Sequence, residues 1–221
     1  MFKNKKLSKT LIGGCLASYH QPYSNLAEQF REIRNNITFA ARGNLRSLVV
    51  TSPSDGEGKT TAAMNLAIGF AQRGERVLLV DADIRKPLLH SLFDMQASPG
   101  LSEILVQQAK LEEAVRETNI PNLKLLLGGS FYHEAMNRLE SVAMTELLNQ
   151  ARALYDVLVF DCPSVLGASD VCTLASRCDG TVLVLSGGRT NSNKALLAKR
   201  NLEFGKANIL GVVLMNGKSI T

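Results

Sequence analysis

The stretch that most restricts the fold is residues 47–65, Ser-Leu-Val-Val-Thr-Ser-Pro-Ser-Asp-Gly-Glu-Gly-Lys-Thr-Thr-Ala-Ala-Met-Asn. A short β-branched run ends at Thr51, a loop of Pro, Ser, Asp and Gly follows, and a helical stretch opens with Lys59, Thr60 and Thr61. Strand, glycine-rich loop and helix in immediate succession is the context that a phosphate-binding loop requires. Gly56 and Gly58 let the backbone turn its N–H groups inward, toward the positive end of the helix, so that Asp55, Gly56, Glu57, Gly58, Lys59, Thr60 and Thr61 cradle an anion. In such a loop Lys59 reaches the β- and γ-phosphates of ATP and the Thr60 hydroxyl coordinates Mg²⁺. Pro53 removes one N–H from the rim, which leaves the later donors to do the cradling. The bland reading, a glycine-rich turn with a surface lysine, is disfavoured by Gly-Lys-Thr-Thr at a strand-to-helix junction.

The rest of the chain repeats the alternation of strand and helix. A continuous apolar run over 77–80 reads as a strand buried on both faces, and Asp81 and Asp83 stand at its carboxyl end, where open α/β sheets bind ligands. Alternation along an extended chain puts both carboxylates on one side, and a nearby Mg²⁺ is the physical reason to keep them there. The competing reading is a pair of loop aspartates capping a helix. Short helices are expected over 102–108 and 111–118, a strand over 123–127 and an amphipathic helix over 142–154. Asp156-Val-Leu-Val-Phe-Asp-Cys-Pro-Ser is a further strand closing on Asp161, with the form of a Walker B element whose aspartate organises Mg²⁺. Asp170 opens the next helix and reads as a cap. A strand over 181–185, a basic helix over 191–204 and a strand over 209–215 complete a doubly wound, mostly parallel sheet with helices on both faces, a Rossmann-like three-layer arrangement of the P-loop NTPase kind.

Size and composition agree with one domain. The 221 residues are 45% hydrophobic, enough for one sizeable core. No run approaches the ~20 apolar residues that cross a bilayer, so a cytoplasmic chain is expected. Residues 1–24 read as a flexible basic leader carrying Lys3, Lys5, Lys6 and Lys9, residues 25–217 as the domain, and 218–221 as its end. The net charge of +5 is modest, and no nucleic-acid partner is expected. Cys15, Cys162, Cys172 and Cys178 show neither a Cys-x-x-Cys pair nor histidines at metal spacing, so neither a zinc site nor a disulfide framework is indicated. A helix from residue 25 presents Leu26, Phe30, Ile33 and Ile37 on one face, with Glu28 and Arg31 opposite and Arg34 on the flank.

Four motifs together resemble one family. They are Ser52-Pro-Ser-Asp-Gly-Glu-Gly-Lys-Thr-Thr, Leu79-Val-Asp-Ala-Asp-Ile-Arg-Lys-Pro, Val157-Leu-Val-Phe-Asp-Cys-Pro, and Glu28-Gln-Phe-Arg-Glu-Ile-Arg. Over residues 25–217 the sequence is similar to the kinase domain of the bacterial tyrosine kinases that regulate capsular and exopolysaccharide synthesis, and the Asp-Ala-Asp-x-Arg-x-Pro string is the most discriminating of the four. The resemblance implies an ATP- and Mg²⁺-dependent protein-tyrosine kinase. Within it Lys59 and Thr60 hold the phosphates and Mg²⁺, Asp161 organises the metal, and Asp83 assists the metal through water. Asp81 accepts the proton of an incoming tyrosine, Arg85 stabilises charge on the transferring phosphoryl group, and Asn216 contacts adenine. Glu28, Arg31 and Arg34 match the motif by which family members pack into a homo-oligomeric ring. A membrane-spanning polysaccharide co-polymerase adaptor is the implied activator, holding the chain at the inner face of the plasma membrane.

Family members usually end in a tyrosine-rich tail, whereas this sequence ends at Thr221 and its tyrosines are Tyr19, Tyr23, Tyr132 and Tyr155. A tail removed, a kinase of other proteins, or a regulatory ATPase are the alternatives that follow. The loop 128–141 carries Ser-Phe-Tyr-His-Glu-Ala-Met-Asn in place of the family's proline-rich segment. Partition and division-site ATPases, which switch by dimerising on ATP, carry a signature lysine early in the loop; here that position is Ser54. A non-catalytic ATP-binding scaffold for polysaccharide assembly is the third reading.

Overall fold

The computed structural model describes residues 16–130, 132–135 and 138–216. Strands β1 (Ser47–Thr51), β2 (Val77–Asp81), β3 (Val115–Glu117), β4 (Leu123–Leu126), β5 (Val157–Asp161), β6 (Gly180–Ser186) and β7 (Ile209–Met215) form a single sheet. Its order is β3-β4-β2-β5-β1-β6-β7, parallel throughout except for β3, which runs antiparallel to β4 at the edge. β1, β2 and β5 are buried at every position, as unbroken apolar runs must be when helices cover both faces.

On one face lie α1 (Ala17–His20), α2 (Asn25–Ala40), α3 (Lys59–Ala71) and α4 (Leu89–Leu92); on the other lie α5 (Leu101–Leu105), α6 (Leu111–Ala114), α7 (Val142–Leu154), α8 (Asp170–Arg177) and α9 (Ser192–Phe204). Alternate strand residues feed the two cores: Leu48, Val50, Leu79 and Val159 pack toward α3, while Val49, Val80, Leu158 and Phe160 pack toward α7 and α8. The chain leaves β1 for β2 on one side and leaves β5 for β6 on the other. The loops after the adjacent strands β1 and β5 therefore diverge, opening a crevice at their carboxyl ends. The doubly wound sheet expected from the sequence is the fold observed.

Three local expectations are corrected. Residues 111–118 do not continue as a helix: Val115 is already extended and pairs with Leu126, so the second half of the stretch is β3. The start of the described chain, assigned to a flexible leader, forms α1, with Leu16 and Ser18 buried against α3 while Tyr23 is exposed. Asn65 on α3 accepts the Ser18 amide at 2.9 Å, and Gln72 donates to the Ser18 carbonyl at 2.8 Å. The leader lysines and Cys15 lie outside the described residues. The buried face of α2 comprises Ala27, Phe30, Arg34 and Ile37, while Leu26 is exposed. Arg34 packs over Gly69 on α3, where a Cβ would meet its Cδ at an ordinary 3.6 Å, and Arg34 Nη1 donates to the Gly69 carbonyl at 2.6 Å.

The turn that follows β4 is fixed by Glu103. Its buried carboxylate accepts from Ser98 Oγ at 2.7 Å, Gly100 N at 2.8 Å, and Ser102 Oγ and Ser130 N at 3.0 Å. This clasp holds Gly128 against the segment after β2, where a Cβ on Gly128 would come 2.7 Å from Pro87 and 3.8 Å from the Asp81 carboxyl carbon. Burial alone would raise the Glu103 pKa, but the hydrogen bonds from Ser130, Ser98 and Gly100 outweigh it and hold the group at about 2. Glu103→Ala is expected to cost about 3 kcal/mol of stability in urea unfolding, because the Ser98 hydroxyl and the Gly100 and Ser130 amides lose a charged acceptor. Since the folded carboxyl titrates below the ordinary 4.5, its contribution is complete above that pH and is lost as pH falls toward about 2. The alanine variant is expected to lack that part of the acid-unfolding curve.

Candidate phosphate and metal site

The crevice at the ends of β1, β2 and β5 gathers the acidic and basic residues singled out above. Gly58, the N-cap of α3, has φ +94°, and Gly56 has φ +76°. Both are left-handed conformations that glycine adopts without steric cost. Lys59 opens α3, and its Nζ lies 3.3 Å from Asp83 Oδ2. The β2–β5 register sets Asp81 directly beside Asp161. Asp81 is 0% exposed and Asp161 1% exposed, and the Thr60 hydroxyl hydrogen-bonds Asp161.

Two carboxylates side by side in a dry interior resist ionisation. The Asp81 carboxyl is pushed above the usual carboxylate range by burial and then by the charge of Asp161, against the lowering effect of the Leu89 and Leu88 amides. Asp161 is pushed up by burial and by Asp83, while Lys59 and Thr60 pull it down. Asp81 Oδ2 accepts the amides of Leu88 and Leu89 at 3.0 Å each, so this aspartate does cap a helix, α4, which the sequence reading had ranked below a metal role. Only one oxygen is used in that way. Asp81 Oδ1 and Asp161 Oδ1 are buried with no hydrogen-bond partner.

Those unpartnered oxygens suit a hard cation with oxygen ligands. Among the described residues no group of three or more His, Cys, Asp or Glu side chains could enclose a metal alone. A cation here would need the Thr60 hydroxyl and oxygens from a bound ligand to complete its shell, as the phosphates of a nucleotide provide. The donor set fits Mg²⁺ in that manner. Asp83, expected to assist the metal, pairs with Lys59 in this structure.

The remaining candidates divide by position. Asp55 Oδ2 pairs with Lys86 Nζ at 2.6 Å and Asp55 Oδ1 accepts Ser164 Oγ at 3.0 Å, which ties the glycine-rich loop to the segments after β2 and β5. The Glu57 side chain turns away to accept Ser54 N and Thr190 Oγ1. Arg85 reaches Gly167 O at 3.0 Å and lies 3.9 Å from Asp170, so its guanidinium is directed at the loop after β5. Asn216 lies at the rim of a cleft of about 680 Å³ shared with Gly56, Gly58, Thr61, Phe30 and Ile33. Glu28 and Arg31 form a pair on the outer side of α2, with Arg31 Nε 2.8 Å from Glu28 Oε2, whereas Arg34 is buried within the chain. Lys86 and Ser164 were missed by sequence reasoning. Their neighbours in the chain were signals, since Lys86 follows the acidic pair and Ser164 follows Asp161 and Pro163; Thr190 had none.

Comparison with known proteins agrees with this geometry. An AAA domain family model matches residues 46–190. The tyrosine-protein kinase YwqD of Bacillus subtilis is 41% identical over 202 residues, spanning 91% of this chain and 85% of that protein. The crystal structure of the chimerical protein CapA2B2 superposes with a TM-score of 0.88 at 32% identity, covering 93% of this chain and 91% of that one. The kinase domain of the Escherichia coli tyrosine kinase ETK also reaches 0.88, at 26% identity over 93% of this chain and 81% of that chain.

Without a cation the Asp81–Asp161 pair is a source of instability. Folding favours the protonated form of a group whose pKa is raised, so nucleotide-free stability is expected to fall as pH rises above the ordinary aspartate value of 3.8. Asp81→Asn keeps an oxygen for the α4 cap and removes the charge. At neutral pH without Mg²⁺ it is expected to stabilise the protein by about 1–2 kcal/mol and to flatten this pH dependence, read by thermal unfolding between pH 4 and 8.

Proposed function

The chain belongs to the family of bacterial tyrosine-protein kinases built on an AAA domain, and from that we propose that it transfers the γ-phosphoryl group of ATP to protein tyrosine, with Mg²⁺, in the control of capsular or exopolysaccharide synthesis. The observation that carries the reading is the register-paired Asp81 and Asp161, with unpartnered oxygens, beside Lys59 and a loop of two left-handed glycines. Phosphoryl transfer asks a protein mainly for position and charge neutralisation, and those are what these groups supply.

In this reading the amides of residues 55–61 and Lys59 bind the phosphates, while Thr60 and Asp161 hold the metal, with Asp83 placed to join once Lys59 turns to phosphate. Bound Mg²⁺ neutralises charge on the β- and γ-phosphate oxygens. Asp81 carries a free oxygen and a raised proton affinity, both of which suit an acceptor for the tyrosine proton. Its complete burial sets a condition: the segment 82–88 has to shift before a tyrosine hydroxyl can reach it. Arg85 becomes a phosphoryl clamp only on leaving Gly167 and Asp170. Asn216 and its cleft receive adenine. The outward Glu28–Arg31 pair serves self-assembly into a ring.

Among the described residues no helix is long and apolar enough to cross a membrane. We take attachment to the membrane to come from a membrane-spanning adaptor that also activates the enzyme. The partition-type dimerising switch is less well supported, because Ser54 occupies the position of its signature lysine and the Ser54 amide is committed to Glu57. Radiolabelled ATP separates the readings: label on protein tyrosine marks the kinase, free phosphate alone the switch ATPase, and neither the scaffold. Lys59→Met is expected to lower phosphotyrosine formation on a supplied tyrosine peptide or partner by roughly a hundredfold or more. An unchanged signal would show that the site lies elsewhere.

A further inference from the structure

We infer that Glu57 and Thr190 form a positioning pair that holds the phosphate cradle in its anion-binding shape before nucleotide arrives; the inference rests on the nucleotide site proposed above. Glu57 lies between the two left-handed glycines, yet its side chain is only 5% exposed. A buried carboxylate persists only where donors replace water. Here there are two, and they come from different parts of the chain. Ser54 N donates to Oε2 at 3.1 Å from the start of the same loop, and Thr190 Oγ1 donates to Oε1 at 2.9 Å from the loop between β6 and α9. The Thr190 hydroxyl in turn accepts the Ser186 amide at 2.7 Å. One hydroxyl thus joins the glycine-rich loop to the end of β6.

Neighbouring contacts act in the same direction. Arg189 Nη1 donates to the Gly56 carbonyl at 3.0 Å, and Ser52 Oγ donates to the Ser54 carbonyl at 2.7 Å. The need for outside support follows from the loop itself. Converging N–H dipoles repel one another until an anion fills the nest, Pro53 contributes no N–H, and glycines carry the largest conformational freedom to lose. A loop left to sample other shapes would bind phosphate with its affinity reduced by the fraction of time spent in the right one. Bracing it beforehand raises affinity without adding any contact to the ligand.

Thr190 meets the loop through Glu57 and β6 through the Ser186 amide, so substituting it tests the brace from outside the cradle. With Mg²⁺ and a fluorescent ATP analogue, Thr190→Val is expected to raise Kd about tenfold, the effect of one hydrogen bond to a charged acceptor. Thr190→Ser, which keeps the hydroxyl, is expected to stay within about threefold of wild type by the same reasoning. In phosphotransfer assays the valine variant should raise KM for ATP by the same factor and leave kcat in place. Glu57→Ala should weaken binding at least as much, and adding Thr190→Val to it should weaken it no further, since the two act as one unit. Wild-type Kd in Thr190→Val, equal losses in the serine and valine variants, or a fall in kcat at constant KM would each overturn the pair. The Kd comparison needs no phosphotransfer. A wild type that binds the analogue and transfers nothing to tyrosine would overturn the kinase reading while the Thr190 variants still decide this one.

Discussion

The structure turns on a repulsion. Parallel pairing of β2 with β5 sets Asp81 against Asp161 in register, inside a sheet whose central strands see no water. Two neighbouring buried carboxylates are costly to ionise, and part of the surrounding architecture contains the cost. Lys59 and Thr60 stand against Asp161, the amides that start α4 take one oxygen of Asp81, and Asp83 is balanced by Lys59. One oxygen on each carboxylate remains unanswered. A fold that keeps such a pair has its stability coupled to whatever cation arrives there, because any ligand that binds only the native state stabilises it by mass action.

The other layers make that arrangement rigid. α3 is buried along nearly its whole length, apolar all round, because the sheet lies under it and α1 and α2 lie over it. Its amino end, with Lys59 and Thr60, is therefore fixed relative to β2 and β5 with little freedom to drift. The loops at the strand ends are then tied to one another by polar contacts: Asp55 to Lys86 and Ser164, Glu57 to Thr190, and Glu103 to Ser98, Gly100 and Ser130. Each joins residues that the chain order keeps apart, and together they set the walls of the crevice.

This division also explains what could be read in advance. The buried strands were legible because unbroken apolar runs ending in Asp or in Gly-rich loops have few other folds available, and the phosphate loop was legible because glycine spacing and a helix start fall together. What escaped depended on contacts distant in the chain. β3 is a three-residue strand that exists only because Val115 and Arg116 find Leu126 and Leu125. Arg34 reads as a flank residue until Gly69, 35 positions away, supplies the carbonyl it needs. Asp81 was read for its charge, and its second task as a cap required knowing that the backbone of 88–89 folds back over it. Glu57 was read through its backbone N–H, whereas its side chain answers to Thr190, which no local pattern marks.

The burial of Arg34 also changes what the motif Glu28-x-x-Arg-x-x-Arg can mean in this chain. Helical spacing of three would put all three residues near one face, but α2 is turned so that Glu28 and Arg31 face outward as a pair while Arg34 passes inward to Gly69. Two of the guanidinium nitrogens are met by that carbonyl and by Asn35 Oδ1 while Nε stays buried without a partner, and turning Arg34 outward would also take this donor from the Gly69 carbonyl in the last turn of α3. Of the motif's three residues the outer side of α2 presents two, Glu28 and Arg31. The third residue instead anchors that surface to the helix whose first residue is Lys59. α2 and the helix that begins at Lys59 are thus held together by a buried contact between residues far apart in the chain.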